Sequence, residues 1–227
     1  MSPLKLTVGI ASNVAVFGVL LFLPAGTLHW WRAWVFLGVV LVGSVASTVS
    51  VMRVNPAVLA ERYRAPVQKG QPLADKILVL VLLVTFVGVI LVIPLDVFRW
   101  HLMKKPGPLV SSLGLVLFVA GWWIITLALR ANAFAAPVVK YMEERRQTVV
   151  DTSVYGIVRH PMYAGAILVL VGMSLWLESY AAALLSSAPA ATLAARIAVE
   201  ERFLREKLKG YEAYTERVRD RLIPFLW

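Results

Sequence analysis

The chain has 227 residues, of which 59% are hydrophobic and only 16% are charged, whereas a typical soluble domain has about 25% charged residues. The formal net charge is +10, but the basic residues flank long uncharged stretches, which favours contact with anionic lipid over binding to nucleic acid. The chain has no cysteine, and its three histidines lack metal-site spacing. Disulfides and cysteine nucleophiles are therefore excluded, and no metal site is predicted.

Four uncharged, apolar stretches have the length of membrane-spanning helices, which need about 20 residues. The predicted spans are Leu6–Leu23, Ala33–Met52, Ile77–Leu95 and Leu109–Leu129. The first is longer than the core of a signal peptide, which has about 7–15 residues. We therefore predict that it is a retained helix.

A fifth apolar region, residues 161–195, is too long for one span and short for two, and its only charge is Glu178. We predict a helical hairpin of Met162–Leu177 and Ser179–Ala195 that turns near Glu178, with a kink at Pro189. The sequence thus predicts an all-α integral membrane bundle of about five to six transmembrane segments, closed by a C-terminal hairpin.

The basic residues predict the orientation of the bundle. If the N-terminus, residues 55–76, residues 130–160 and the C-terminal tail lie on one side, the basic residues on the other side are only Arg32, Arg99, Lys104 and Lys105. Because cytoplasmic loops carry the excess of Lys and Arg, both termini are predicted to be cytoplasmic.

A polar motif, Arg159-His160-Pro161-Met162-Tyr163-Ala164-Gly165, lies where the hairpin begins. Pro161 suits the first turn of a helix, and the free N–H groups of that turn favour a bound carboxylate or phosphate. Gly165 would allow a ligand to approach the backbone closely. An alternative interpretation is that these basic and aromatic residues only mark the membrane boundary.

Two adjacent carboxylates, Glu200 and Glu201, follow the hairpin. Carboxylates near a membrane boundary are costly unless they have partners or a function. They could hold the amine or ribose of a nucleotide-like cofactor, or favour a sulfonium cation. Alternatively, they could form ion pairs with Arg196, Arg202 and Arg205 on a solvated helix.

The densely charged segment Arg196–Arg221 carries apolar residues at helical spacing. This pattern predicts a cytoplasmic helix that ends at Pro224. The segment contains Gly210-Tyr211-Glu212-Ala213-Tyr214. It either lies on anionic lipid as a basic amphipathic helix or closes a pocket formed by the two preceding features.

Together, these features resemble the isoprenylcysteine carboxyl methyltransferase family and the related phospholipid methyltransferases. The resemblance covers about residues 130–227. Its elements are Arg159 to Gly165, Glu200-Glu201-Arg202-Phe203-Leu204, Gly210 to Tyr214 and Arg221-Leu222-Ile223-Pro224, preceded by Asn132-Ala133-Phe134 and Val149-Val150-Asp151-Thr152. One departure is that the family usually has Gly-Pro-Tyr where this chain has Ser153-Val154-Tyr155.

The resemblance implies methyl transfer from S-adenosylmethionine to a lipophilic carboxylate, amine or thiol at the membrane–cytoplasm boundary, in a bacterial inner membrane. The implied cofactor-binding residues are Tyr155, His160, Pro161, Tyr163, Gly165, Glu200 and Glu201. The implied catalytic residues are Glu201 and Arg159. Of these, Arg159 would meet an acidic group of the substrate.

The resemblance also implies a four-helix membrane region, residues 1–129, followed by a methyltransferase core, residues 130–227, whose loop at residues 130–155 wraps the cofactor. The expected partners are a lipid-like small-molecule substrate and membrane lipids, with no nucleic acid or protein partner.

Two other classes stay open. Membrane sterol reductases share a similar C-terminal pattern and use a nicotinamide cofactor, although they usually have more membrane helices. A non-catalytic membrane protein, such as a small transporter, is the second alternative. The four long spans carry no charge, which argues against a path for a polar substrate through them.

Overall fold

The computed structural model describes residues 3–62, 68 and 71–227. Residues 63–67 and 69–70, which belong to the predicted loop at 55–76, lie outside this description. The protein is 74% helical, and the part of the chain that the structure describes contains no strand. The fold is therefore the predicted all-α class.

Nine α-helices follow one another along the described chain. Their bounds are α1 (Pro3–Ala25), α2 (Trp31–Met52), α3 (Pro56–Arg62), α4 (Leu73–Leu95), α5 (Pro108–Ala131), α6 (Pro161–Trp176), α7 (Tyr180–Leu185), α8 (Ser187–Lys207) and α9 (Tyr211–Arg217). Helices α1, α2, α4 and α5 contain the four predicted spans. The short α3, between α2 and α4, was not predicted.

Five helical stretches are long and apolar enough to cross a membrane. They are α1, α2, α4 with the π-helical turn that follows it, α5, and the stretch Tyr180–Lys207, which comprises α7 and α8. Helix α6 is apolar but shorter, with 16 residues. These lengths and compositions indicate an integral membrane helical bundle.

The predicted hairpin is formed by α6, α7 and α8. Glu178 makes the turn in a left-handed conformation, with φ +69°. The second arm is interrupted at Ser186, between α7 and α8, whereas the sequence predicted a kink at Pro189. A proline ring clashes with the carbonyl group of the residue four positions earlier in a helix, which here is Leu185. The helix is therefore interrupted before Pro189, and the proline lies in the first turn of α8.

The C-terminal segment differs from the single helix that was predicted up to Pro224. Helix α8 continues without a break through Arg196 to Lys207, and Gly210, at φ +86°, begins a separate helix, α9. Because φ is positive at Gly210, a continuous helix cannot form there. Helix α9 ends at Arg217, well before Pro224.

Buried polar contacts fix the end of the bundle at which the hairpin turns. Arg32 donates to the Trp176 carbonyl at 3.2 Å, and its Nε lies 3.2 Å from Glu178 Oε1. Asp96, at the end of α4, accepts hydrogen bonds from Ser179 Oγ at 2.6 Å and from a backbone N–H at 2.7 Å. These contacts tie the hairpin to α2 and α4.

Helices α5 and α6 pack backbone against backbone. A Cβ atom at Gly172 would lie 2.4 Å from the Phe118 nitrogen, and one at Gly121 would lie 2.5 Å from the Gly165 carbonyl oxygen. Only glycine fits such an approach, so this seam of glycines fixes the position of α6. The predicted division of the chain at residue 130 would separate these two helices, and it stays a prediction.

We expect the Gly172→Ala variant to lower the free energy of unfolding by about 1–3 kcal/mol, because the added methyl group forces the two backbones apart. Gly88→Ala is the matched control, since nothing lies within 4 Å of its added Cβ, and alanine favours a helix by up to about 1 kcal/mol over glycine. Thermal unfolding in detergent should show a loss for the first and no loss for the second. Equal melting temperatures would contradict the importance of the seam.

Candidate active site

A cavity lies at the opposite end of the bundle from the hairpin turn, where α6 begins. Its wall is formed by the segment that follows α5, the first turn of α6, the end of α8, and α9. The polar residues of the lining are Asn132, Lys140, Gln147, Thr148, Tyr155, Arg159, His160, Tyr163, Arg196, Glu200, Tyr211 and Tyr214. Four of the predicted cofactor-binding residues therefore share one cavity, namely Tyr155, His160, Tyr163 and Glu200.

Glu201 is the centre of a buried charged cluster behind this wall. Arg159 Nε donates to Glu201 Oε1 at 2.8 Å, and His160 Nε2 lies 3.2 Å from the same oxygen. Arg221 Nε donates to Glu201 Oε2 at 3.3 Å. The Glu201 side chain is only 5% exposed, and Glu201 does not line the cavity. The cluster joins α6, α8 and the C-terminal segment.

Arg159 is held by the protein on two sides. Besides Glu201, its guanidinium meets the carbonyl oxygens of Val218 and Arg219, to which Nη1 donates at 2.6 and 2.7 Å. The backbone continues this attachment, since the Arg159 N–H donates to the Asp220 carbonyl at 2.9 Å. Arg159 therefore fastens the chain that follows α9 to the start of α6.

Glu200 faces the cavity, unlike its neighbour. Tyr163 Oη donates to Glu200 Oε2 at 2.5 Å, and the His160 and Tyr163 rings stack, with their centroids 5.5 Å apart and their planes within 6°. Successive residues of a helix are rotated by about 100°, so the two glutamates point in different directions. The predicted alternative paired the glutamates with Arg196, Arg202 and Arg205 on a solvated helix, whereas Glu201 is buried and pairs with Arg159 and Arg221 from outside α8.

Pro161 and Gly165 do not line the cavity. Pro161 begins α6, as predicted, and His160 precedes it as the N-cap residue. A Cβ at Gly165 would lie 2.7 Å from the Gly121 carbonyl oxygen and 2.8 Å from Ile125. Helix α5 therefore fills the space beside Gly165 that the sequence analysis assigned to a ligand.

An ion pair that the sequence analysis missed completes the wall. Arg196 Nε donates to Asp75 Oδ1 at 2.8 Å, and its guanidinium carbon lies 5.6 Å from the centre of the Tyr163 ring. From the sequence alone, Arg196 is predicted only as a partner for the glutamates. An available signal was Asp75 itself, an acidic residue at the edge of an apolar span, where an unpaired charge is costly.

Helix α9 closes the cavity on the side of the 148–158 loop. Tyr214 Oη donates to the Tyr155 carbonyl at 2.8 Å. Burial raises the pKa of both Tyr211 and Tyr214, so the two phenols stay protonated. Ser153 adopts φ +57° in this loop, a conformation that glycine adopts most readily. The serine thus keeps a left-handed turn where the resembling family usually has glycine.

Comparison with known proteins identifies the segment that builds this site. Residues 109–210 match the family model described as phospholipid methyltransferase, whereas no curated protein matches the chain. The matched range contains α5, the Arg159 motif, the hairpin and both glutamates. The match supports the interpretation of the protein as an enzyme. Methyltransferases of this type generally use S-adenosylmethionine. Residues 109–210, slightly under half of the chain, are therefore similar to a phospholipid methyltransferase domain, from the family of isoprenylcysteine carboxyl methyltransferase-like membrane methyltransferases.

Proposed function

We propose that this protein transfers a methyl group from S-adenosylmethionine to a lipophilic acceptor at the membrane–cytoplasm boundary. The observation that carries the proposal is the convergence of His160, Tyr163 and Glu200 on one cavity at the end of a membrane bundle. The acceptor group is a carboxylate, an amine or a thiol. In this proposal the cavity and both termini are cytoplasmic, and the membrane is the inner membrane of a bacterium.

The residues of the cavity fit the chemical groups of S-adenosylmethionine. The Glu200 carboxylate suits its ammonium group, its ribose hydroxyls or its sulfonium, and the rings of Tyr155, Tyr211 and Tyr214 suit a flat base or a cation. Arg196 suits a carboxylate, because its Nη1 donates no hydrogen bond to another of the described residues. The cavity thus combines an anionic, a cationic and an aromatic wall.

The bound cofactor supplies a methyl group that is already activated by its sulfonium sulfur. The contribution of the protein is therefore mainly orientation of the two reactants and exclusion of water. Tyr163 fixes the Glu200 carboxylate by its hydrogen bond, and His160 supports the Tyr163 ring by stacking. We assign Arg159 and Glu201 to the frame that holds these groups in place, because their charges are paired inside the protein.

Purified protein in detergent should bind S-adenosylmethionine and S-adenosylhomocysteine saturably, and it should not bind NADPH. Isothermal titration calorimetry measures all three. Binding of NADPH alone would replace the methyltransferase with the reductase alternative, and binding of none of them by folded protein would exclude both. Acceptors are then screened as lipid-like carboxylates, amines and thiols with radiolabelled methyl donor.

The Glu200→Gln variant should bind S-adenosylhomocysteine at least about tenfold more weakly. It loses a charge-assisted hydrogen bond to the ligand, which is worth about 1.5–3 kcal/mol. Its melting temperature should change little, because glutamine keeps an oxygen that can accept from Tyr163. Glu206→Gln, on the exposed face of the same helix, is the matched control and should bind as the wild type does. Equal affinity of the two variants would remove Glu200 from the site.

The Glu201→Gln variant should lose stability instead, by about 3–5 kcal/mol, because it leaves the buried charge of Arg159 without its partner. Chemical unfolding of the purified variant measures this loss. The replacement of both Glu201 and Arg159 by Gln and Met should be less destabilising than the sum of the single changes. Additive losses would contradict the cluster.

A further inference from the structure

We propose that Asp75, on α4, is a positioning residue for the cavity, acting through Arg196 and through the backbone at Val139. Asp75 lies outside the segment that matches the family model. The inference rests on the proposed function, because it assigns to Asp75 the task of holding two walls of the proposed cofactor site.

Both carboxylate oxygens of Asp75 are occupied. Oδ1 accepts from Arg196 Nε at 2.8 Å, while Oδ2 accepts from Gln71 Nε2 at 2.7 Å and from the Val139 N–H at 2.8 Å. Arg196 reaches the same loop, since its Nη2 donates to the Pro137 carbonyl at 2.7 Å. One carboxylate therefore connects α4, α8 and the segment between α5 and α6.

The burial of this pair makes its geometry strict. Asp75 is 0% exposed, and the side chain of Arg196 is 7% exposed. A buried carboxylate is tolerated only with a full set of donors, and three donors converge on this one. Because the guanidinium has a planar fork, the bond at Nε and the bond at Nη2 together fix its plane.

The fixed guanidinium and the fixed loop both face the proposed ligand. Arg196 and Val139 line the cavity, and Arg196 lies over the Tyr163 ring beside Glu200. The Nη1 donors of Arg196 are not used by any described residue. Asp75 thus holds the Arg196 guanidinium at the cavity without occupying all of its hydrogen-bond donors. This is the arrangement of a pre-organised binding group.

The test compares Asp75→Asn with Asp96→Asn. Asparagine has one acceptor oxygen, so its amide nitrogen would face either Arg196 Nε or the Val139 N–H, and one of those bonds must be lost. Asp96 is an equally buried aspartate at the other end of the same span, and it contacts neither the cavity nor Arg196. It therefore controls for the general cost of replacing a buried carboxylate.

Two measurements are made on each variant: hydrogen exchange of the Val139 amide without ligand, and the Kd of S-adenosylhomocysteine. Asp75→Asn should raise the Kd about tenfold, and it should also accelerate the exchange when the Val139 bond is the one lost, while Asp96→Asn should leave both within about twofold of wild type. Adding Asp75→Asn to Arg196→Gln should weaken binding by less than the sum of the single changes, because both changes act in part on the same group.

Unchanged Val139 exchange together with unchanged affinity of folded Asp75→Asn protein overturns the proposal, as does equal weakening of binding by Asp75→Asn and Asp96→Asn. If the wild type binds no S-adenosylhomocysteine, the proposed function fails, and accelerated Val139 exchange in Asp75→Asn would still show that Asp75 holds the loop. If Asp75→Asn does not fold, Arg196→Lys, which keeps the charge but not the fork, should weaken binding. Wild-type affinity of that variant would overturn the proposal.

Discussion

The cavity depends on the hydrogen bonds and ion pairs that the buried carboxylate of Glu201 makes. It receives Arg159 and His160 from the start of α6 and Arg221 from the C-terminal segment. These groups come from parts of the chain that share no helix with Glu201, and the charges of Arg159 and Glu201, both 5% exposed, would each be costly to bury alone. Because the cluster is satisfied as a set, it fixes where α6 begins and where α9 can pack, and the cavity is the space left between them.

The pair of adjacent glutamates divides two tasks between one helix face and the next. Glu201 points into the frame, whereas Glu200 points into the cavity and accepts from Tyr163. Two of the three arginines that the solvated-helix interpretation assigned to them have other partners, since Arg196 pairs with Asp75 and Arg205 with Glu212. The rotation of an α-helix therefore places two adjacent glutamates in two different environments.

Hydrophobicity predicted the spans and the turn at Glu178, because a membrane imposes the length and charge of every segment that crosses it. It could not predict what depends on partners that are distant in the sequence. The space beside Gly165 was predicted to hold a ligand, but it holds α5. That approach is a tertiary contact, so it is not visible in the local sequence. Asp75 and Arg196 are 121 residues apart, so no local pattern connects them. The break at Gly210 depends on one backbone angle, which no periodicity reports.

The length of α6 bears on how a lipophilic acceptor would reach the cavity. Its 16 residues span about 24 Å at 1.5 Å per residue, which is less than the roughly 30 Å thickness of the hydrocarbon core. In the proposed orientation, the turn after α6, which Arg32 ties to α2, lies at one face of the membrane, and the shortfall falls at the end that carries His160. The wall of the cavity would then begin just inside the boundary between the hydrocarbon core and the lipid headgroups. An acceptor with a hydrocarbon tail could present its polar head there while its tail stays in the bilayer.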